Sequence, residues 1–217
     1  MNKAILWDLD GTLLYTLQDL TNATNATLRA FGLPERSLEE IRTFVGNGAI
    51  QQMRRAAGGE PENFQEMMTY YRAYYPQHCN ETTRPYDGIL ETAARLQAAG
   101  WHLAIVSNKP DNATKALWKT YFPTFDLALG EGPGLPRKPA PDMALRALEL
   151  LKTPREHAVY IGDSEVDVAT AQAAGIPCIS ACWGYRSEGE LLAAGARYLC
   201  HSPAEVPDAL EALLHGQ

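Results

Sequence analysis

The chain has 217 residues, of which 46% are hydrophobic, enough to fill one large domain or one domain that carries a smaller insertion. Its net charge of −7 argues against a protein that binds nucleic acids or anionic membranes in general. Apolar residues 4–7 are too few for a secretory signal or a membrane helix, so we expect a cytoplasmic location.

Six short apolar runs bounded by turn signals predict strands, at residues 4–7, 103–106, 125–129, 158–161, 178–181 and 198–200. Helical patterns lie between them, such as residues 90–99, 143–151 and 166–174. Apolar strands that alternate with helices indicate an α/β fold, in which a mainly parallel sheet is covered by helices on both faces.

The segment from about residue 16 to residue 83 breaks this alternation. It contains no convincing strand, and helix-like patterns occupy residues 17–31, 38–44, 50–57 and 64–75. We interpret it as a small helical domain inserted after the first strand. Two tyrosine pairs spaced four apart, Tyr70 with Tyr74 and Tyr71 with Tyr75, favour a packing stripe over an aromatic ligand cage.

Four cysteines, Cys79, Cys178, Cys182 and Cys200, lack the paired spacing of zinc sites. We expect them to be reduced and buried. A disulfide or a metal site at Cys178 and Cys182 is the alternative.

Polar side chains follow the predicted strands, at the sheet edge where open parallel sheets carry their functional crevice. Asp8 and Asp10 follow the first strand in the stretch AILWDLDGT. The other polar residues follow later strands or a Gly/Pro-rich loop: Ser107, Asn108, Lys109, Lys138, Asp163, Ser164 and Asp167. Each feature alone could be a turn, a helix cap or a solvated lysine. Because all of them are expected at the same edge of the sheet, we favour the interpretation that they serve one reaction.

The carboxylates suit a magnesium ion. Asp8, Asp163 and Asp167 offer hard oxygen ligands, and a bound cation offsets the repulsion among them and with an anionic phosphate. Asp163 and Asp167 stand four apart, so we expect both to face one side of a helical first turn.

Phosphoryl transfer would use the remaining groups. Ser107, Asn108 or nearby backbone N–H groups, and the Lys138 ammonium, would hold the phosphoryl oxygens. Asp8 would be a carboxylate nucleophile that forms an aspartyl-phosphate. Asp10 would be the general acid and then the base, kept protonated at first by neighbouring carboxylates.

These motifs together resemble those of the haloacid dehalogenase-like hydrolases. The matching stretches run the length of the chain: DLDGTL at 8–13, VSNK at 106–109, RKPAP at 137–141 and GDSEVD at 162–167. The resemblance implies a Rossmann-like three-layer core with a mainly parallel sheet, plus a small all-helical cap domain. We therefore predict a discontinuous core of residues 1–15 and 84–217 and a cap of residues 16–83.

The resemblance also implies the site residues. The predicted catalytic residues are Asp8 and Asp10, the predicted Mg²⁺ ligands are Asp8, Asp10, Asp163 and Asp167, and the predicted substrate-binding residues are Thr12, Ser107, Asn108, Lys138, Gly46 and Asn47. Gly46 and Asn47 lie in FVGNGA at 44–49, which resembles the cap loop of phosphoglycolate phosphatases; a glycine turn between two helices is the alternative. Family members often carry an acidic residue and a small hydroxyl where this chain has Tyr15 and Thr16, which bears on the hinge or the substrate pocket.

The favoured function is a Mg²⁺-dependent phosphatase for a small phosphorylated metabolite, phosphoglycolate first. A phosphomutase of the β-phosphoglucomutase type and an inorganic pyrophosphatase are the alternatives. A non-catalytic binding protein would have lost the nucleophile, the lysine or a metal acid, and none is lost. We expect no nucleic-acid or membrane partner and a monomer or homodimer; Arg54, Arg55 and Arg186 are candidates to contact a substrate carboxylate.

Overall fold

The computed structural model describes the backbone of residues 2–215 and the side chains of residues 2–213. Its strands are β1 (Lys3–Trp7), β2 (Leu14–Tyr15), β3 (Arg84–Pro85), β4 (Trp101–Pro110), β5 (Leu127–Glu131), β6 (Ala158–Gly162), β7 (Cys178–Ala181) and β8 (Tyr198–Cys200). Its helices are α1 (Leu17–Ala30), α2 (Leu38–Phe44), α3 (Gly48–Ala57), α4 (Phe64–His78), α5 (Ile89–Ala98), α6 (Asp111–Tyr121), α7 (Asp142–Leu151), α8 (Glu165–Ala174), α9 (Glu188–Ala193) and α10 (Val206–His215).

Six strands form one parallel sheet in the order β5-β4-β1-β6-β7-β8. Strand β1 lies in the middle, where Ile5 pairs with Leu103 of β4 on one side and with Val159 of β6 on the other. A central position buries both faces of β1, which explains its uninterrupted apolar sequence.

Alternate residues of β1 enter two different hydrophobic clusters. Ile5 and Trp7 pack with α5, α6 and α10, whereas Ala4 and Leu6 pack with α7 and α8 on the opposite face. This alternation follows from the two-residue period of a strand. The predicted three-layer α/β fold is confirmed.

All six predicted strands are present, each with its ends within four residues of the predicted ones, and two short strands were missed. Strand β4 continues through the polar residues 107–109, which we expected to follow the strand, because an irregularity after Val106 lets Pro110 resume pairing with Glu131. Strand β5 begins two residues later than predicted. The antiparallel ribbon of β2 and β3 was missed, because two-residue strands leave no periodic signal.

Helices α1–α4, here called the helical segment (residues 17–78), follow the four predicted patterns closely. They enclose their own cluster around Leu28, Ile41 and Met53, and Ala113 and Tyr185, both far along the chain from the segment, belong to the same cluster. The segment therefore packs against the end of the sheet.

The predicted packing role of Tyr71 and Tyr75 is confirmed. Both side chains are buried, and their rings stack with centroids 5.3 Å apart. Tyr70 and Tyr74 also stack on each other, but Tyr70 is exposed.

All four cysteines are free thiols. The expectation that all four are buried is wrong for Cys178 and Cys182, which are half-buried because Cys178 is the first residue of β7 and Cys182 directly follows its last. Among the described residues, no helix has the length and apolar character needed to cross a membrane.

Asp19 of α1 ties the start of the helical segment to the chain that follows its last helix. Its carboxylate is fully buried and accepts hydrogen bonds from the backbone N–H groups of Glu81, Thr82 and Thr83 and from both threonine hydroxyls. Burial alone would raise the pKa of Asp19, but these hydrogen bonds outweigh it and hold the pKa below its usual value.

We expect Asp19→Asn to lower the free energy of unfolding by about 2 kcal/mol at pH 7, because several hydrogen bonds lose their charged acceptor. The folded-state pKa lies below the unfolded value of about 3.9, so the stabilisation is complete above that pH and is lost as the pH falls through the folded value. Urea unfolding measures this at pH 7 and near pH 3. The difference in free energy of unfolding between variant and wild type should be smaller at the acidic pH. Asp87→Asn, at an exposed position, is the control; a gap that stayed constant with pH would contradict this account.

Candidate active site

The buried Lys138 ammonium lies at the centre of the site. Its Nζ donates to Asp8 Oδ1 at 2.7 Å, to Asp167 Oδ1 at 2.7 Å and to the Tyr160 hydroxyl at 3.0 Å. Asp8 lies directly after β1, and its backbone N–H donates to the carbonyl of Ile161 in β6. The lysine thus joins the ends of the two central strands.

Asp8, Asp163 and Asp167 form a buried triad of carboxylates, with one oxygen of each within 4.8 Å of the others. Asp163 is oriented by the Thr12 hydroxyl at 3.0 Å and the Tyr185 backbone N–H at 2.7 Å. The expectation that Asp163 shares a helical turn with Asp167 is wrong, because α8 begins only at Glu165. The two carboxylates instead converge from the end of β6 and from the first turn of α8.

Asp167 also organises the turn into α8. Its Oδ2 accepts from the backbone N–H of Ser164 at 3.1 Å and from the Ser164 hydroxyl at 2.6 Å, while Oδ1 accepts from Lys138. Its two oxygens therefore hold the loop and the lysine together.

The triad carries more negative charge than Lys138 balances. Burial raises the pKa of Asp8 to about 7; Lys138 opposes this rise, and the Asp167 carboxylate adds to it. Burial, then Asp167 and Asp8, raise the pKa of Asp163 well above its ordinary value. When all three carboxylates are ionised, the one ammonium leaves two negative charges unbalanced, and a divalent cation would neutralise them.

Two glycines allow the carboxylates to approach this closely. A Cβ at Gly11, where φ is +90°, would lie 2.3 Å from Asp163 Oδ2, and a Cβ at Gly162 would lie 2.2 Å from Asp167 Cγ. Only a residue without a side chain fits at either position.

Asp10 is held by a cation and a hydroxyl rather than crowded by carboxylates. Lys109 Nζ lies 2.7 and 3.1 Å from its two oxygens, and the Thr16 hydroxyl donates at 2.6 Å. The sequence predicts that neighbouring carboxylates keep Asp10 protonated; the structure places the Lys109 ammonium against both of its oxygens. The sequence placed Lys109 at the right strand end but gave it no role.

Lys109 also contacts the helical segment. Its buried ammonium lies 4.8 Å from the centroid of the Tyr75 ring, in cation–π geometry. Asp10 is therefore coupled through one lysine to α4.

Ser107 and Asn108 both lie at the site, in different roles. Ser107 Oγ is buried and accepts from the Lys109 backbone N–H at 3.3 Å. The Asn108 amide donates to the carbonyls of Gly46 and Lys138 and accepts from the Lys138 backbone N–H. The Asn108 side chain thus positions Lys138 and fastens the loop before α3.

That loop covers a small cavity of about 30 Å³ above Asp8 and Asp10. Gly46 and Gly48 line it together with the helical-segment residues Gln52, Tyr71 and Tyr75, and with Lys109. Asn47 does not line the cavity. A volume of this size holds only a few atoms, so the helical segment lies closed over the carboxylates.

None of the three candidate arginines lines this cavity. Arg54 pairs with Glu60, and Arg55 donates to the carbonyls of Thr43 and Phe44. The buried Arg186 guanidinium binds Glu165 and donates to the carbonyls of Arg42 and Val45. Arg186 therefore ties the helical segment to the end of the sheet.

Tyr15 lies in the β2–β3 ribbon that leads into and out of the helical segment. Its ring contacts Tyr86 and Tyr185 edge-on, at centroid distances of 6.2 and 6.5 Å, and the Arg84 guanidinium lies over it at 4.7 Å. These contacts place Tyr15 at the connection, and it does not line the cavity above Asp8 and Asp10.

Comparison with known proteins agrees with this arrangement. The family model for haloacid dehalogenase-like hydrolases matches residues 5–181. The chain belongs to the haloacid dehalogenase-like hydrolases. Among curated family members, a phosphoglycolate phosphatase of Rhodobacter capsulatus is 38% identical, covering 86% of this chain and 87% of the relative. A phosphoglycolate phosphatase of Thiobacillus denitrificans is 36% identical, covering 84% of each chain.

Solved structures of the family agree over nearly the whole chain. A protein from Lactobacillus delbrueckii subsp. bulgaricus has a TM-score of 0.89 and 35% identity, with all of both chains covered. CbbY from Rhodobacter sphaeroides, solved in complex with phosphate, has a TM-score of 0.80 and 27% identity, covering 97% of this chain and 100% of that one. The family hydrolase fold thus includes the helical segment as well as the sheet.

Proposed function

We propose that this chain is a Mg²⁺-dependent phosphatase that hydrolyses a small phosphomonoester, phosphoglycolate first, through an aspartyl-phosphate on Asp8. The observation that carries the proposal is the buried contact of Lys138 with both Asp8 and Asp167, with Asp163 within 4.8 Å. Nucleophile, cation and metal-type ligands meet at one point, which is what phosphoryl transfer requires.

Magnesium fits the donor set. Asp8 and Asp163 supply hard carboxylate oxygens, Asp167 supports them, and the fully ionised triad carries two more negative charges than Lys138 balances. When bound, Mg²⁺ would neutralise these charges and the phosphate oxygens. We also assign the backbone carbonyl of Asp10 as a ligand.

The chain's own groups divide the remaining work. Asp8 attacks phosphorus, and Lys138 stabilises the negative charge that spreads over the phosphoryl oxygens. Asp10, oriented by Thr16 and Lys109, gives a proton to the leaving oxygen and later takes one from the attacking water. The hydroxyl of Ser107 and backbone N–H groups near Asn108 bind the phosphate.

The closed cavity constrains how any substrate binds. A volume of about 30 Å³ above Asp8 and Asp10 has room for neither phosphoglycolate nor a hexose phosphate, so either substrate requires displacement of the helical segment. We propose further that residues 16–83 move as a cap on a core of residues 1–15 and 84–217, open for substrate and closed to exclude water.

Phosphate release from a panel of phosphorylated metabolites, measured with and without Mg²⁺, tests the assignment. We expect phosphoglycolate to be among the best substrates and chelation of Mg²⁺ to stop turnover. The same assay with β-glucose 1-phosphate and a bisphosphate primer, and with pyrophosphate, separates the alternatives. Isomerisation without phosphate release would establish a mutase, and no turnover of any compound would favour a binding protein.

We expect Lys109→Met to lower kcat by about tenfold to a hundredfold, because Asp10 loses the cation that orients it as acid and base. Steady-state rates over pH 5–9 measure the effect. Lys119→Met, at an exposed position of α6, is the matched control. Wild-type kcat in the Lys109 variant would show that Thr16 alone positions Asp10.

A further inference from the structure

Three side chains of different chemistry converge outside the site described above. Cys182 lies directly after β7, Glu188 is the first residue of α9, and His201 lies directly after β8. One ligand atom of each, a thiol sulfur, a carboxylate oxygen and an imidazole nitrogen, lies within 4.8 Å of the other two.

The sheet itself places two of them. Ala181 pairs with Cys200 in the parallel register of β7 and β8, and the backbone N–H of Cys182 continues the pairing by donating to the Cys200 carbonyl at 2.8 Å. Cys182 and His201 are each the next residue of neighbouring parallel strands, so their side chains extend to the same side of the sheet. This juxtaposition does not depend on flexible loops.

The separations suit one metal ion. His201 Nε2 lies 3.6 Å from Glu188 Oε2, too far for a hydrogen bond. Ligand atoms around a tetrahedral zinc lie about 3.3–3.6 Å apart, given the usual zinc–ligand bond lengths. Cys182 is half-buried and the other two side chains are exposed, which leaves a fourth position for water.

We propose that Cys182, Glu188 and His201 form a second cation site, for a thiophilic divalent ion of the zinc class. A thiolate and an imidazole favour zinc over magnesium, so this site and the carboxylate triad select different ions. Glu188, with Glu205 nearby, supplies the negative potential that attracts the cation, and the same charges add to burial in raising the pKa of the Cys182 thiol in the free protein.

The ion would fasten both ends of the loop at residues 183–187. Within this loop Trp183 donates to the Thr12 carbonyl, Tyr185 contacts Asp163 and Thr16, and Arg186 binds the helical segment. Because Cys182 and Glu188 immediately flank the loop, a shared ion fixes the segment that orients Asp163. A cation bound there would therefore hold the loop at residues 183–187 in the position that orients Asp163.

Cobalt(II) titration of the full chain in excess Mg²⁺ tests the proposal, since thiolate–cobalt absorption in the near ultraviolet requires a cysteine ligand and the carboxylate triad has none. We expect one thiolate-bound cobalt per chain, displaced by Zn²⁺. Cys182→Ser should abolish the absorption, and Glu188→Gln and His201→Ala should weaken Zn²⁺ binding by at least about tenfold, as measured by competition with a chromophoric chelator.

Cys178→Ser, which removes the other half-buried thiol, is the control and should bind as wild type does. Zn²⁺ should also raise the unfolding temperature of wild type more than that of Cys182→Ser. Absorption that persists in Cys182→Ser, no thiolate–cobalt absorption in wild type, or unchanged affinity in the Glu188 or His201 variant would overturn the site. None of these readouts uses phosphatase activity, so the test of the zinc-class site is independent of the proposed function.

Discussion

Replacing Asp8 by asparagine should lower kcat by at least about 10⁴-fold, the scale on which removal of an enzyme nucleophile acts. The amide is nearly isosteric but cannot attack phosphorus, and Lys138 keeps its contact with Asp167. Steady-state phosphate release measures the loss. Because one of three crowded carboxylates disappears, we expect the variant to fold with an unfolding temperature close to that of wild type.

The covalent step has its own readout. Acid quenching of a single turnover with ³²P-labelled phosphoglycolate should leave label on the wild-type protein, released by hydroxylamine as expected for an acyl phosphate. Asp8→Asn should carry none, while Asp87→Asn, at an exposed position, should be labelled as wild type is. Label on the Asp8 variant would mean that another residue is the nucleophile.

Replacing Lys138 by methionine should damage both stability and turnover. The side chain is buried and paired with Asp8 and Asp167, so its loss leaves three buried carboxylates without a cation. Removing one partner of a buried ion pair costs about 3–5 kcal/mol of unfolding free energy. We expect kcat to fall by at least about a hundredfold as well, because Lys138 also stabilises the phosphoryl oxygens.

Urea unfolding and phosphate release, each measured on the same preparation, separate the two effects of Lys138→Met. The assay is run well below the unfolding transition, so that lost activity does not reflect unfolded protein. Lys119→Met on the exposed face of α6 should change neither quantity. Full turnover in a destabilised Lys138 variant would restrict this lysine to a structural role.

The sequence by itself determined the α/β class, the six main strands and the strand ends that carry chemistry. These features are local: apolar runs set the strands, and polar residues directly after them must lie at the carboxyl edge of a parallel sheet. Asp8, Ser107 and Asp163 were therefore found without knowledge of which strands are neighbours. The helical pattern of residues 16–83 was likewise readable from the spacing of neighbouring side chains.

The partners of these residues were decided only by the tertiary structure. Lys138 is separated from Asp8 by 130 residues, and Lys109 from Asp10 by 99, so no sequence spacing indicates either ion pair. The same holds for Arg186, whose cationic side chain suggested a substrate contact until its guanidinium was found bound to backbone carbonyls of the helical segment.

The distinction has a physical cause. Secondary structure depends on the order of neighbouring side chains, whereas charge compensation depends on which groups the strand order β5-β4-β1-β6-β7-β8 brings together in a buried space. Placing β1 between β4 and β6 brought Asp8 beside Lys138 and the Asp163–Asp167 turn. Placing β7 beside β8 brought Cys182 to His201.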